Sequence, residues 1–367
     1  MLTPAGRAAA RSGLLVPSIL PNSALSPLEW VSAPPVREEI FYPGPEGPMP
    51  AVLHHPGNQG SHPAVVLLLG LDPLLADPRV VRLNTGLARA GWVVLLPRLE
   101  RLSQHRVGLE EVEALVAAFR FLEQLPYVDP ARIGCGGLSV GASLCFIASA
   151  QEEIRDQVLF VNFFGGYESA ERLIVSVTTG VAFDAGSERI WDPHPEMISY
   201  LRGLLIQGLE SETDRAVLLR RFFEGEGFTT KELDLLSPQG RVLYQLLTAE
   251  DPAEAWAHLE ALPERERERL SLLSPAHWRD SLQAQLFIMH DASDTHIPVE
   301  ESRRLASGFP DPAQVRYTEF RFFEHVTPQE SVGPLTLLRE GSKLFRHLHG
   351  ILHLVEGQPD LEGTRAG

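Results

Sequence analysis

The chain has only two cysteines in 367 residues, Cys135 and Cys145, which excludes a disulfide framework. Both read as small buried hydrophobes of a reduced protein. A redox pair would need them to face each other, and the strand-to-helix turn between them aims them apart. No apolar run approaches the roughly 18 residues that a membrane helix requires. Positive charge is also short: 32 Lys and Arg stand against 48 Asp and Glu, a net charge of −16. Arg265, Arg267 and Arg269 alternate with glutamates, so no basic patch offsets this balance and nucleic acid is excluded as a partner. A cytoplasmic location is the expectation. Export is the alternative, because Arg7 and Arg11 precede the short apolar run Gly13–Leu20, interrupted by Pro17.

Hydrophobic residues at 44% and charged residues at 22% suit a globular protein with a large core. Residues 1–35 hold Pro17, Pro21, Pro27, Pro34 and Pro35, which predicts an extended, proline-rich leader. From Val36 the pattern changes. Two strands, 36–42 and 49–54, precede the continuous apolar run 64–69, a strand buried on both faces. Asp77 and Pro78 open a helix to about residue 90. A strand at 92–97, an amphipathic helix at 109–125 and strands at 133–138 and 158–164 follow. This alternation predicts an α/β fold, a mostly parallel central sheet with helices on both faces. It breaks between 169 and 276, where the periodicity is helical (195–209, 213–223, 231–247, 252–262) and no apolar strand is evident. That span is expected to be a helical insertion, a lid or cap over the C-terminal edge of the sheet, where ligands bind in such folds. The alternation resumes with strands at 284–289 and 315–323 and a last helix at 334–349. The expected organisation is a leader (1–35), a core in two parts (36–168 and 277–353), the insertion between them, and a tail (354–367).

The chemistry is expected at Gly137-Leu-Ser139-Val-Gly141, a G-x-S-x-G pattern between a short apolar strand and a helix. A serine on such a turn is held in a strained conformation with its hydroxyl clear of the sheet. The residues two before and two after it come close together, which favours glycine at both places. The following helix points its first amides at any negative charge that develops. The pentapeptide also fits a glycine-rich turn without chemistry, so the rest of the chain must decide. A serine nucleophile needs a histidine base, and the base needs a carboxylate. Asp294 follows the strand 284–289 and His325 follows the strand 315–323, which supplies the order serine, acid, histidine.

With these segments in place the chain resembles the α/β-hydrolase superfamily, nearest the branch of dienelactone hydrolases and prolyl-oligopeptidase-type esterases. Ala64–Gly70, Val128–Gly141, His290–Pro298 and Phe323–His325 carry the likeness, which covers about residues 36–168 and 272–350. It implies a serine hydrolase cleaving a small-molecule carboxylic ester, thioester or lactone, with Ser139 as nucleophile, His325 as base and Asp294 as its partner. The amides of Leu71 and Val140 would form the oxyanion hole, and no cofactor or metal is implied. Three departures stand out. Leu69 precedes Gly70 where many members have histidine, Ser139 stands where dienelactone hydrolases proper have cysteine, and Asp291 replaces the usual glycine. A serine peptidase of the same fold, or a non-catalytic protein keeping the hydrolase shell, are the alternatives.

Other residues carry weaker signals. Tyr167 and Glu168 follow a strand on the catalytic edge, where lining the substrate pocket and plain packing are equally good readings. His290 and His296 flank the acid and read as loop residues. With Asp294 they also have the types of a zinc cluster, the less favoured reading on an acid turn. His349 and His353 share a helix face near the C-terminus and read as solvated.

Overall fold

A computed structural model describes residues 3–19, 26–58, 60–70, 75–104, 106–184, 186–224, 229–329 and 333–358. Helix α1 (Pro4–Ile19) and the short α2 (Pro27–Val31) precede a β-hairpin, β1 (Val36–Gly44) and β2 (Gly47–His55). Then come β3 (His62–Leu68), α3 (Pro78–Arg89), β4 (Val93–Pro97), α4 (Glu100–Ser103), α5 (Leu109–Gln124), β5 (Val128–Leu138), α6 (Val140–Ser149) and β6 (Phe160–Phe164). The insertion holds α7 (Ala170–Thr179), a small hairpin β7 (Val181–Asp184) and β8 (Ser187–Ile190), and helices α8 (Pro195–Gln207), α9 (Glu212–Leu219), α10 (Pro238–Thr248), α11 (Pro252–Glu260), α12 (Glu264–Leu272) and α13 (Pro275–Trp278). The core closes with β9 (Gln285–Asp291), α14 (Val299–Ser307), β10 (Val315–Phe320) and the long α15 (Pro334–Glu356).

Eight strands form one sheet in the order β1-β2-β4-β3-β5-β6-β9-β10. From β4 onward neighbours run parallel, and the opening hairpin lies antiparallel on one edge. The apolar strands β3 and β4 are buried along their whole length, as both-face coverage requires. One face packs against α5, α6 and α14, the other against α1, α3 and α15. Every residue of α6 is buried. Cys135 and Cys145 are buried and free, and burial pushes the Cys135 thiol up to about 12.

Three expectations are corrected. The leader is not extended. Pro4 and Pro27 open helices in the first turn, where a missing N–H breaks no bond, and Pro17 falls in the last turn of α1. Ala8, Ser12, Leu15 and Val16 form a buried face on α1, and Arg7 and Arg11 both pair with Glu356 of α15. Gly86 of α3 lets this helix approach, since a Cβ there would stand 2.9 Å from the Ile19 side chain. Second, the helix expected over 231–247 is broken. Ser237 caps α10 by accepting from the Gly240 amide, Pro238 follows at its start, and buried Asp214 accepts from the Ser237 amide. Third, the insertion contains a hairpin as well as helices. Strand β8 is exposed throughout, so it carries no apolar signature in the sequence.

The two ends of the insertion meet. The Ala170 amide donates to Ser274 Oγ at 2.8 Å and the Ala276 amide to the Glu168 carbonyl at 3.0 Å. Buried Glu301 of α14 accepts from the amides of Glu168 and Ser169, both at 2.9 Å, which pins this neck to the core.

Candidate active site

The strand-helix turn after β5 has the predicted strain: Ser139 adopts φ 57° and ψ −134°. A non-glycine residue there costs on the order of 1–3 kcal/mol, so the surroundings must enforce it. They do so backbone against backbone. A Cβ on Gly137 would lie 2.2 Å from the Gly141 carbonyl oxygen, and one on Gly141 would lie 2.6 Å from the Leu68 carbonyl oxygen. Glycine at both positions thus lets the start of α6 sit directly on the ends of β5 and β3. The Ser139 amide donates to the Phe164 carbonyl at 2.8 Å, tying the turn to the end of β6. Val140, the first residue of α6, has no carbonyl one turn back to receive its amide. Leu71, the other expected oxyanion donor, lies outside the described residues.

His325 and Asp294 come together. His325 Nδ1 lies 2.6 Å from Asp294 Oδ2, and His325 itself adopts φ 57°. Asp294 is buried, and its other oxygen accepts from the amides of His296 at 2.7 Å and Ile297 at 3.0 Å. Burial on its own would raise this carboxyl. The His325 and His290 rings outweigh it and hold the group well below the usual carboxylate range, so it is ionised. The His325 ring lies beside Gly165, the residue after the carbonyl that binds the Ser139 amide. A Cβ on Gly165 would stand 3.5 Å from His325 Cε1. The Ser139 turn follows the C-terminal end of β5 and Asp294 that of β9, and the His325 ring lies beside Gly165 at the end of β6.

His290 is fully buried behind the acid. Its Nε2 lies 3.0 Å from the Ile297 carbonyl and 3.2 Å from Asp294 Oδ2, and its Nδ1 lies 2.7 Å from Ser302 Oγ. Two acceptors facing Nε2 assign the proton there, with Nδ1 accepting from the serine hydroxyl. His296 stacks on His325 with ring centroids 4.7 Å apart, and His194 of the insertion stacks on His296 at 4.5 Å. Burial, and then the His325 charge, lower His296 to about 4. The same stretch of the insertion grips the acid loop twice more: Trp191 Nε1 donates to the Asp294 carbonyl at 2.8 Å and the His194 amide to the Thr295 carbonyl at 2.7 Å.

In the sequence Asp291 stands out only as a replaced glycine. Its Oδ1 accepts from the Ser293 amide and hydroxyl, and its Oδ2 accepts from the amides of Phe322 at 2.6 Å and Phe323 at 2.8 Å. One carboxylate thus fastens the loop of Asp294 to the loop of His325. Trp191 and His194 carried no signal either, because their partners lie about a hundred positions away.

Tyr167 and Glu168 are both buried. Tyr167 stands in the core, its backbone held by Ser143 Oγ, and Glu168 pairs with Arg172 at 2.6 Å and faces Arg279 at 3.7 Å. Packing and the neck of the insertion account for them. Ligand atoms of His194, Glu196 and His296, and of Asp294, His296 and His325, lie close enough to hold an ion. The stacked imidazoles are nearly parallel, at 16° and 18°, so their in-plane lone pairs do not converge on one point. His290 has both ring nitrogens engaged within the protein. His353 is exposed on α15 and stacks on His349.

No protein-family model matches the sequence, and no curated protein does. Solved structures do. A puromycin-hydrolyzing peptidase of Mycobacterium tuberculosis is 17% identical with a TM-score of 0.51, over 89% of this chain and 40% of that one. An acylaminoacyl peptidase of Pyrococcus horikoshii is 13% identical with a TM-score of 0.49, over 87% of this chain and 40% of that one. The chain thus spans about 40% of the length of these proteins. Strand order, helix placement and the likeness to the first of them show an α/β-hydrolase fold.

Proposed function

We propose that the protein is a serine hydrolase acting on a carboxylic ester, thioester or lactone, in the manner of the dienelactone hydrolase and prolyl-oligopeptidase-type esterases. The observation that carries the reading is the 2.6 Å contact between His325 Nδ1 and Asp294 Oδ2, at the edge where Ser139 is held in a strained turn. With Nδ1 committed to the carboxylate, Nε2 is the nitrogen left to take the Ser139 proton. Oγ then adds to the substrate carbonyl carbon, and the carbonyl oxygen becomes an oxyanion facing the amide of Val140, with Leu71 as second donor. The C–O bond of the ester breaks as His325 returns the proton to the leaving alkoxide. Water, deprotonated by the same imidazole, releases the acid and restores the serine. No metal or cofactor enters this scheme.

Residues 169–276 act in this reading as a cover whose segment 189–194 is fastened to the acid loop through Trp191 and His194 and to α14 through Arg189, which grips Glu300 with two nitrogens at 2.9 and 3.0 Å. No helix among the described residues is long and apolar enough to cross a membrane, and the reduced cysteines favour a cytoplasmic setting.

A fluorophosphonate probe tests the chemistry: wild-type protein becomes labelled and Ser139→Ala does not. Equal labelling of both, or of neither, would remove the assignment. An amide substrate is the second reading, favoured by the peptidase name of the Mycobacterium tuberculosis structure above. Nitrophenyl esters assayed beside aminoacyl nitroanilides separate the two.

A further inference from the structure

A cavity of about 290 Å³ lies on the side of the sheet covered by α1, α3 and α15. Its floor is the sheet, with Val65, Leu67 and Leu69 of the β3 segment in a row and Gly136 of β5 beside them. Gly136 keeps that floor open. A Cβ there would point at the side chains of Leu67 (3.2 Å) and Val65 (3.6 Å). Leu83 and Leu87 of α3 form one wall, Leu348 and Leu352 of α15 another, and Leu15 and Ile19 of α1 the outer cover. Trp92, packed edge-on against Phe160, lies at the deep end.

The other end approaches the catalytic edge through chain neighbours, with Ser139 and His325 themselves just outside its wall. Leu138 lines the cavity and immediately precedes Ser139. Val326 lines it and immediately follows His325. Phe164 lines it and supplies the carbonyl that binds the Ser139 amide. Three independent measures give the depth. Val65 to Leu69 spans about 13 Å of strand. Leu344 to Leu352 and Val80 to Leu87 span about 12 and 10 Å of helix. All six residues are in the wall. An extended hydrocarbon advances roughly 1.3 Å for each C–C bond of about 1.5 Å, so the depth suits about eight to ten carbons. The volume sits near the low end of ligand pockets, which run from about 300 Å³.

We propose that this cavity is the acyl-chain site: it takes the linear, saturated chain of a medium-length acyl ester of about eight to ten carbons, with the carbonyl left at Ser139. The proposal rests on the serine-hydrolase reading for its place in a reaction, but the binding site stands on its own geometry. The wall carries few polar groups: Asn162, Thr327, Asp77, Arg79 and Trp92, whose buried Nε1 has no hydrogen-bond partner. The Asn162 amide oxygen is engaged by His347 Nε2 at 2.9 Å, and Asp77 and Arg79 pair with each other at the mouth, at 2.7 Å.

The test is a chain-length series of p-nitrophenyl esters from acetate to palmitate. Wild-type kcat/KM should rise about threefold to fourfold per methylene up to eight or ten carbons, as progressive burial of CH₂ groups implies, and fall beyond twelve. Leu83→Trp and Leu348→Trp fill the cavity from two different helices, and each should lower the decanoate-to-acetate ratio at least 30-fold. Circular dichroism reports whether each variant folds. A flat series in wild-type protein that the fluorophosphonate labels overturns the acyl site and leaves the hydrolase intact. If the probe fails, the cavity is still tested by titrating decanoate and butyrate into Ser139→Ala protein by calorimetry. Decanoate binding at least tenfold tighter supports the site, and equal binding overturns it.

Discussion

Gly136 and Gly137 are consecutive on β5 and point to opposite faces of the sheet, and their surroundings have little in common. A methyl group on Gly137 would meet the backbone of α6, with the Gly141 carbonyl oxygen at 2.2 Å. On Gly136 it would meet side chains alone, the tips of Leu67 and Val65 at 3.2 and 3.6 Å and the Asn162 Cβ at 3.9 Å. On the first face a wholly buried helix is pressed against the strand ends, and no side chain is available to give way. On the second face three helices bridge a cavity of about 290 Å³. The contrast separates two tasks. Backbone packing on the α6 face holds Ser139 in a conformation it would not adopt alone, while the α1, α3 and α15 face leaves room next to it.

The largest effect is expected at the edge where the two faces meet. Asp294→Asn replaces the acceptor of the 2.6 Å contact with an amide that stabilises the wrong tautomer of His325. A drop in ester kcat of about 10⁴-fold is expected, the size seen when such an acid is neutralised in serine hydrolases. Stopped-flow or steady-state assays measure it. A loss under tenfold would detach the His325–Asp294 pair from catalysis and leave only packing at that edge.

The two glycines break the comparison most directly. Gly137→Ala should cost about 3 kcal/mol or more, because overpacking against backbone cannot relax by a rotamer change. Gly136→Ala should stay within about 1 kcal/mol, since Leu67 and Val65 can turn into the cavity. Urea unfolding of the two variants side by side decides it, and equal losses would mean that the faces are packed alike.

The sequence carries the first face far more plainly than the second. Gly137, Ser139 and Gly141 form a local pattern because the constraint among them is local, and the apolar strands advertise themselves by their length. The pairing of Asp294 with His325 is legible through chain order and through the likeness of the segments that carry them. Helix α1 was hidden by Pro17 and by the weight of prolines around it, although Pro4 and Pro27 sit where a helix tolerates them. Its reason for folding lies about 345 residues downstream, at Glu356 and the face of α15. Asp291 read as a deviation, since its four donors come from Ser293 and from a loop thirty residues away. The cavity has no sequence signature. It is defined by where four elements fail to meet.

His347 sharpens the view of the second face through its pH dependence. It is buried on α15, Nε2 facing Asn162 Oδ1 at 2.9 Å and Nδ1 facing Thr318 Oγ at 3.2 Å, an arrangement that fits a neutral ring donating through Nε2. Burial, and then the Arg316 charge, lower it to about 3. The unfolded chain binds this proton near pH 6.5 and the native state does not, so stability is full above about 6.5 and falls as the pH drops toward 3. His347→Gln should remove up to about one proton from this dependence, about 1.4 kcal/mol per pH unit over that window. Denaturation midpoints at pH 7, 5.5 and 4 measure it. An unchanged slope would mean that water already reaches this face.

The smallest effect is expected at His296, between the His194 and His325 rings. Its amide supports Asp294 whatever the side chain, so His296→Ala removes the ring and nothing else from the acid loop. Aromatic stacking is worth about 0.5–1.5 kcal/mol beyond area, which corresponds to a loss of about twofold to tenfold in kcat/KM if the ring serves to orient His325. Because burial and the neighbouring charge keep His296 neutral above about pH 4, its removal should leave the position of the acidic limb of the kcat/KM profile unchanged above pH 5. A shift of that limb by half a unit or more would show that His296 carries charge during turnover. The stack would then be an electrostatic partner of the base, and the insertion, through His194, would bear on the chemistry as well as on the position of the loop.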